Sequence, residues 1–229
     1  MNSNHRVRRS LLSGIGAALA AFSLRPQSAH AQSASGVKSF RPARHTQDDW
    51  MDTLPGKHRT VIDCAAAGAA GTGVFYANNI FIANRSGYQL DDTEVAVIVV
   101  LRHEATTFAF NDAIWAKYGS VLGNLGKITD PRTNQSPTVN PLNSRDFGPA
   151  MTNNGITAPS LASRGAHFAI CDMATNRIAG VVAAAVKSTP AEIYKELVAN
   201  LLPNSHLVSA GVVAVNRAQE RGYSMLTAG

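Results

Sequence analysis

The strongest chemical signal in this chain is a cysteine at the end of an apolar run. Cys171 closes the segment Gly165-Ala166-His167-Phe168-Ala169-Ile170-Cys171 and is followed by Asp172-Met173-Ala174-Thr175-Asn176. The run reads as a buried strand and its continuation as a helix, which puts the thiol where open α/β sheets bind ligands. At a helix N-terminus a thiol is favoured as thiolate, and the thiolate is the nucleophile. Asp172 opposes this with its negative charge unless its side chain turns away to cap the helix. A free cysteine is also among the most buried residue types, so an inert core role stands beside the reactive one.

Two further residues can join this chemistry. Cys64 falls at the carboxyl end of the first expected strand, residues 58–65, where it faces the same sheet edge as a redox partner or stays a separate core cysteine. His103 lies just beyond the second expected strand, residues 94–101; it can serve as a proton shuttle or metal ligand, or sit in a loop bonded to backbone. The run His103-Glu104-Ala105-Thr106-Thr107 lacks the second histidine of a zincin motif, and no other ligand spacing argues for a metal. Gly68, Gly71 and Gly73 do not have dinucleotide-binding spacing, and no Walker lysine follows them. They suit a tight turn between strand and helix. No Gly-x-Ser-x-Gly elbow is present, and no cofactor is implied.

The elements that must hold these residues alternate. Expected strands at 58–65, 94–101, 166–171, 206–210 and 223–226 are separated by helices at 72–85, 110–118, 160–164, 178–186, 190–203 and 212–221. The unbroken Val95-Ala96-Val97-Ile98-Val99-Val100-Leu101 suits a central strand covered on both faces. Ile178, Val181, Val182, Ala185 and Val186 follow the i, i+3, i+4, i+7, i+8 pattern of a helix packed on a sheet. The pattern is that of one α/β domain with a parallel sheet between helical layers. Residues 32–56 read as a polar linker or arm around Trp50, and the domain is expected over 57–229. Residues 119–159, rich in Asn and Pro, read as a long irregular insertion: a lid, a subunit contact or a mobile loop.

Residues 1–31 carry the marks of a signal peptide: a basic start, an apolar stretch from Leu11 to Leu24, and the small-residue end Ala29-His30-Ala31. Arg8-Arg9 before Ser10-Leu11-Leu12 resembles a twin-arginine signal, with an ordinary secretory peptide as the alternative. The expectation is a periplasmic or otherwise exported bacterial protein, with the twin-arginine machinery as a partner. The apolar stretch is too short for a membrane span, and no stable membrane anchor is expected. Without Arg6, Arg8, Arg9 and Arg25, the 21 Lys+Arg fall to 17 against 15 Asp+Glu, a net +2. The basic character belongs to the leader, and no basic stripe with interleaved aromatics points to nucleic acid.

Over residues 59–226 the chain resembles the DsrE/DsrF-like superfamily, and specifically an uncharacterised exported branch of it. The resemblance is carried by the second strand running into Leu101-Arg102-His103, by Asn140-Pro141 before the next helix, by Gly165 through Cys171 with its following helix, and by Val212 through Gln219-Glu220-Arg221-Gly222-Tyr223. It implies a flavodoxin-like three-layer domain with a mostly parallel five-stranded sheet. It further implies a homo-oligomer, trimer or hexamer, and a persulfide-carrying role for the residue at Cys171. The resulting expectation is sulfur or thiol-redox handling of a small sulfur compound through Cys171, sulfurtransferase-like if enzymatic. The alternative is a non-enzymatic oligomeric protein that binds a small ligand or a metal.

Overall fold

The computed structural model describes residues 40–229, so the expected signal peptide lies outside the described residues. Five strands, β1 (His58–Cys64), β2 (Val95–Leu101), β3 (His167–Cys171), β4 (Ser205–Val208) and β5 (Ser224–Ala228), form one sheet in the order β4-β3-β2-β1-β5. Every neighbouring pair is parallel, so the expected three-layer α/β domain carries an all-parallel sheet.

Strand order follows from right-handed crossovers. Steps from β1 to β4 go in one direction and place α2 (Ala67–Tyr88), α3 (Asp112–Gly126) and α5 (Asp172–Val186) on one face. The return from β4 to β5 runs the other way and puts α7 (Gly211–Gln219) on the opposite face. Alternation along the strands feeds both layers. Ile62, Val97, Val99, Leu101, Phe168 and Ile170 join the larger core, with Phe81, Trp115 and Ile178. Val61, Ala96, Ile98, Val100 and Ala169 pack under α7 with Ala214 and Ala218. All seven residues of β2 are buried, as its apolar run requires of the middle strand.

The remaining helices are short. α6 (Pro190–Val198) begins with a capping box, in which Thr189 accepts from Glu192 N and Glu192 from Thr189 N, with Pro190 at the first helical turn. α4 (Ala158–Ala162) uses the same device through Thr157 and Ser160.

Three boundaries differ from the sequence expectation. First, α2 starts at Ala67 rather than near Thr72, so the glycines lie within the helix instead of in a turn. Two of them are there for contact. A Cβ on Gly71 would stand 2.7 Å from Met151 Sδ, and one on Gly73 would clash with Cys64 Sγ. Second, α3 runs on to Gly126, so residues 119–126 belong to a helix and not to the insertion. Beyond it the chain to Thr157 is irregular but packed. Asn140 is fully buried and donates to Phe108 O (2.8 Å) and Phe110 O (2.7 Å), while Asn153 donates to Ser144 O and Ile156 O. Asparagine side chains do the work of a missing ladder there. Leu142, Phe147 and Met151 join the larger core, so the segment is anchored to the domain rather than a loose surface loop.

Third, the domain begins before residue 57. The arm includes a 3-10 turn at Thr46–Asp48 and the short α1 (Trp50–Thr53), and it straps the α7 face of the sheet. Met51 is fully buried; its carbonyl accepts from Tyr223 OH (2.7 Å) and from Arg59 (3.3 Å).

Candidate functional site

The strand-to-helix junction at Cys171 forms as the sequence suggests. Cys171 ends β3 and serves as the N-cap residue of α5 through its backbone; its carbonyl accepts from Thr175 Oγ1 at 3.0 Å, and its thiol makes no capping bond. The connection after β3 leads to α5 on one face and the connection after β4 leads to α7 on the other. Adjacent strands whose connections diverge create a crevice at their carboxyl ends. Here that crevice is a cleft of about 520 Å³, lined by Cys171, Met173, Ala174 and Arg177 after β3, by Ala210, Gly211 and Val212 after β4, and by Arg102 and His103 after β2. Cys171 is recessed, with 7% of its surface exposed.

The sheet register brings a charged pair to the same edge. Cys64 and Leu101 are register partners, so Asp63, just before the end of β1, is close to Arg102, just past the end of β2. Arg102 donates from Nε and Nη2 to the two carboxylate oxygens of Asp63 at 2.7 and 2.8 Å. Such a fork fixes the guanidinium in place. The hydrogen bond with Asp63 raises the Arg102 pKa above its ordinary value, partial burial opposes this, and a negative charge at Cys171 adds to the rise. Gly211 completes the fit: a side chain there would clash with Arg102 Cβ and stand 3.0 Å from its Cδ.

Asp172 turns away from the cleft. Its Oδ1 accepts from Tyr194 OH of α6 at 2.6 Å, and this bond pushes the Tyr194 pKa up to about 12, with burial adding to it. The carboxylate next to the thiol is therefore committed to the α5–α6 contact. His103 opens the 3-10 segment His103–Ala109 in a left-handed conformation, φ 53°, and its exposed ring lines the cleft. No hydrogen bond joins that ring to Cys171 or to backbone among the described residues. His103 and Cys171 thus share one cleft without a hydrogen bond between them.

Cys64 lies elsewhere: of its two readings, the structure describes the separate core cysteine, and the redox pairing with Cys171 is not formed. By strand alternation its side chain is on the α2 face, in the larger core with Ile62, whereas Cys171 is on the α7 side with Ala169. The β1 and β3 strands are separated by β2, so their Cα atoms are about 10 Å apart at ~4.8 Å per strand, beyond the reach of a disulfide at under ~7 Å. Cys64 has no exposed surface, and burial, helped by Asp63, drives its thiol pKa far up.

Sequence reasoning missed Asp63, Arg102, Arg177 and Gly211. Asp63 and Arg102 did carry a signal, since each is a charge at the carboxyl end of an otherwise apolar strand. It also missed a second cluster. His167 of β3 and His206 of β4 lie diagonally on the α7 face, with Nδ1 and Nε2 2.9 Å apart. Trp50 stacks on His206 at 3.8 Å between centroids and 2° between planes. Burial lowers both histidine pKa values, and His167 helps to bring His206 to about 4.

Among the described residues there is no group of three or more His, Cys, Asp or Glu placed to hold a metal ion, and no helix long and apolar enough to cross a membrane.

Fold and site together describe a three-layer parallel α/β domain with a recessed thiol at its carboxyl-edge crevice. No family model matches the chain, and no curated protein matches it. Among solved structures it is similar to the protein of unknown function MTH1491 from Methanobacterium thermoautotrophicum, at 13% identity and a TM-score of 0.35, covering 75% of this chain and 99% of that one.

Proposed function

We propose that this protein handles sulfur or thiol-redox chemistry through Cys171, accepting a sulfur atom from a small sulfur compound. One observation carries it: of the chain's two cysteines, Cys171 alone opens on the cleft, beside a guanidinium that Asp63 holds in place. The step is an attack of the Cys171 thiolate on the outer sulfur of a persulfide R–S–SH. The S–S bond to that sulfur breaks, the electron pair leaves with R–S⁻, and Cys171–S–SH remains. Arg102 offsets the thiolate charge electrostatically, and His103 in the same cleft is the candidate for carrying the proton to the leaving thiolate. The DsrE-like order of motifs around Cys171 is in keeping with such a carrier.

Incubating the purified protein with glutathione persulfide and reading intact mass tests this. The expected result is an adduct of one sulfur atom that persists in Cys64→Ala and is lost in Cys171→Ala. An adduct indifferent to Cys171→Ala, or none at all, contradicts it.

A second reading is favoured by the recession of the thiol, only 7% exposed. A cleft of about 520 Å³ matches small-ligand sites in size. In that case the protein is a periplasmic binding protein that seats a ligand over Cys171 without turning it over. A small molecule co-purifying in stoichiometric amount with a Cys171 that resists labelling supports this alternative.

We further propose export through the twin-arginine route and self-association as a trimer or hexamer. Exposed Val213 on α7, and Met225 and Leu226 on the edge strand β5, offer apolar surface for self-association. Light scattering that gives a monomer contradicts the assembly.

A further inference from the structure

We infer that the Cys171 cleft selects an anionic sulfur compound, one whose reactive sulfur carries an acidic group a few bonds away; this rests on the thiol chemistry proposed above and names its substrate class. The charge distribution around the cleft supports it. Its lining includes two guanidiniums, Arg102 and Arg177, and the His103 ring, and no carboxylate. The acids nearby are committed elsewhere. Asp172 accepts from Tyr194, Glu104 is held by Lys127 at 3.0 Å, and Asp63 is consumed in the fork to Arg102. Arg102 spends Nε and Nη2 on that fork, which leaves Nη1 free to donate. Arg177 is exposed and forms no ion pair among the described residues; Glu104, held by Lys127, feels the charges of Arg177 and His103 from outside the lining.

Backbone donors converge on the same space. α5 has 15 residues and α7 has 9, and neither N-terminus is capped by a side chain. The first turns of both helices, whose opening N–H groups have no side-chain cap, contribute Met173, Ala174, Gly211 and Val212 to the lining of one cleft. The Cys171 thiol, recessed among these donors, has no hydrogen-bond partner of its own. Met173 and Val212, 70% and 54% exposed, line the same cleft with apolar surface. A positive, acid-free cleft with low-dielectric walls concentrates anions and speeds their capture, by roughly ten- to a thousandfold in built cases.

Two methanethiosulfonate reagents that differ only in charge test the inference, the anionic sulfonatoethyl form and the cationic trimethylammonioethyl form. In both, the thiolate attacks the thiol-side sulfur, the S–S bond breaks, methanesulfinate leaves with the pair, and a mixed disulfide forms on the protein. Rates are measured on Cys64→Ala, folded and in denaturant, and the denatured ratio removes the reagents' intrinsic difference. The expected result is that the folded protein prefers the anionic reagent about tenfold or more, that Arg177→Gln reduces the preference severalfold, and that added salt does the same. Equal normalised rates overturn the anion selectivity and leave the thiol chemistry standing. If neither reagent modifies the folded protein while both modify the denatured one, the thiol chemistry itself falls, and the substrate class with it.

Discussion

Cys64 and Cys171 end two strands of one sheet, β1 and β3 with β2 between them, yet they have opposite environments. Cys64 ends β1 and points into the larger core, where glycine at position 73 lets α2 close over its sulfur. Cys171 ends β3 and points to the side where α5 and α7 part company at the divergence of their connections. Residue type is identical, and so is the position at a strand's carboxyl end. The difference is set by strand parity and by the topology after each strand. A thiol under a crossover helix becomes a filler of volume; a thiol at the point where crossovers diverge becomes available to a ligand.

The largest expected effect comes from breaking the sealed side. Gly73→Val forces a branched side chain into Cys64 Sγ, which the α2–β1 contact can relieve only by moving apart. It is expected to destabilise the protein by about 3 kcal/mol, read as a lower urea midpoint. Wild-type-like stability would mean that Cys64 is not enclosed as described.

A smaller loss is expected on the open side. Arg102→Met leaves the Asp63 carboxylate buried without its fork, at a cost of about 2 kcal/mol given that the pair is only partly shielded from water. The double variant with Asp63→Asn should recover most of it, because the uncompensated charge is then gone. No recovery would show that Arg102 acts through its packing against Gly211 rather than through its charge.

The smallest effect is a pH dependence remote from both thiols. His167 lies four residues before Cys171 on the same side of β3, about 13 Å away along the strand. His167 and His206 both have pKa values below the ordinary 6.5, that of His206 at about 4, so the strap over them is seated on neutral rings. The undocked state binds protons more readily, so docking is at full strength above pH 6.5 and weakens as pH falls toward about 4. Of the strap's carboxylates, Asp52 is engaged by Arg221 and Arg44 and Asp49 lies 3.9 Å from Arg221, and no carboxylate contributes to the shift of either histidine. Trp50 fluorescence should change across that window, and the change should shrink in His206→Phe and vanish when His167 is replaced as well. The open and sealed thiols should keep their contrast throughout.

Much of the fold was legible because local pattern and burial agree. The unbroken run of β2 and the helical spacing of Ile178 to Val186 are signals of packing on a sheet, and both became such elements. The start of α2 was illegible because glycine lowers helix propensity, while here close contact with Cys64 and Met151 requires it. The strap looked like a linker because its anchors are few: Met51, Leu54 and Trp50 amid charges. Of the site, the position of Cys171 was legible from the strand–helix change. The Asp63–Arg102 fork was not, since it depends on the register of β1 against β2 over 39 residues of sequence. The separation of the two thiols was hidden for the same reason, because parity and strand order decide it together.

Native-state alkylation of the wild-type protein by iodoacetamide, followed by peptide mapping over time, tests the contrast between the two thiols most directly. Cys171 should be labelled in the folded state, and Cys64 only through opening of the domain, which lowers its rate by about a thousandfold or more for a domain of ordinary stability. Equal labelling of both residues, or labelling of Cys64 ahead of Cys171, would contradict the account.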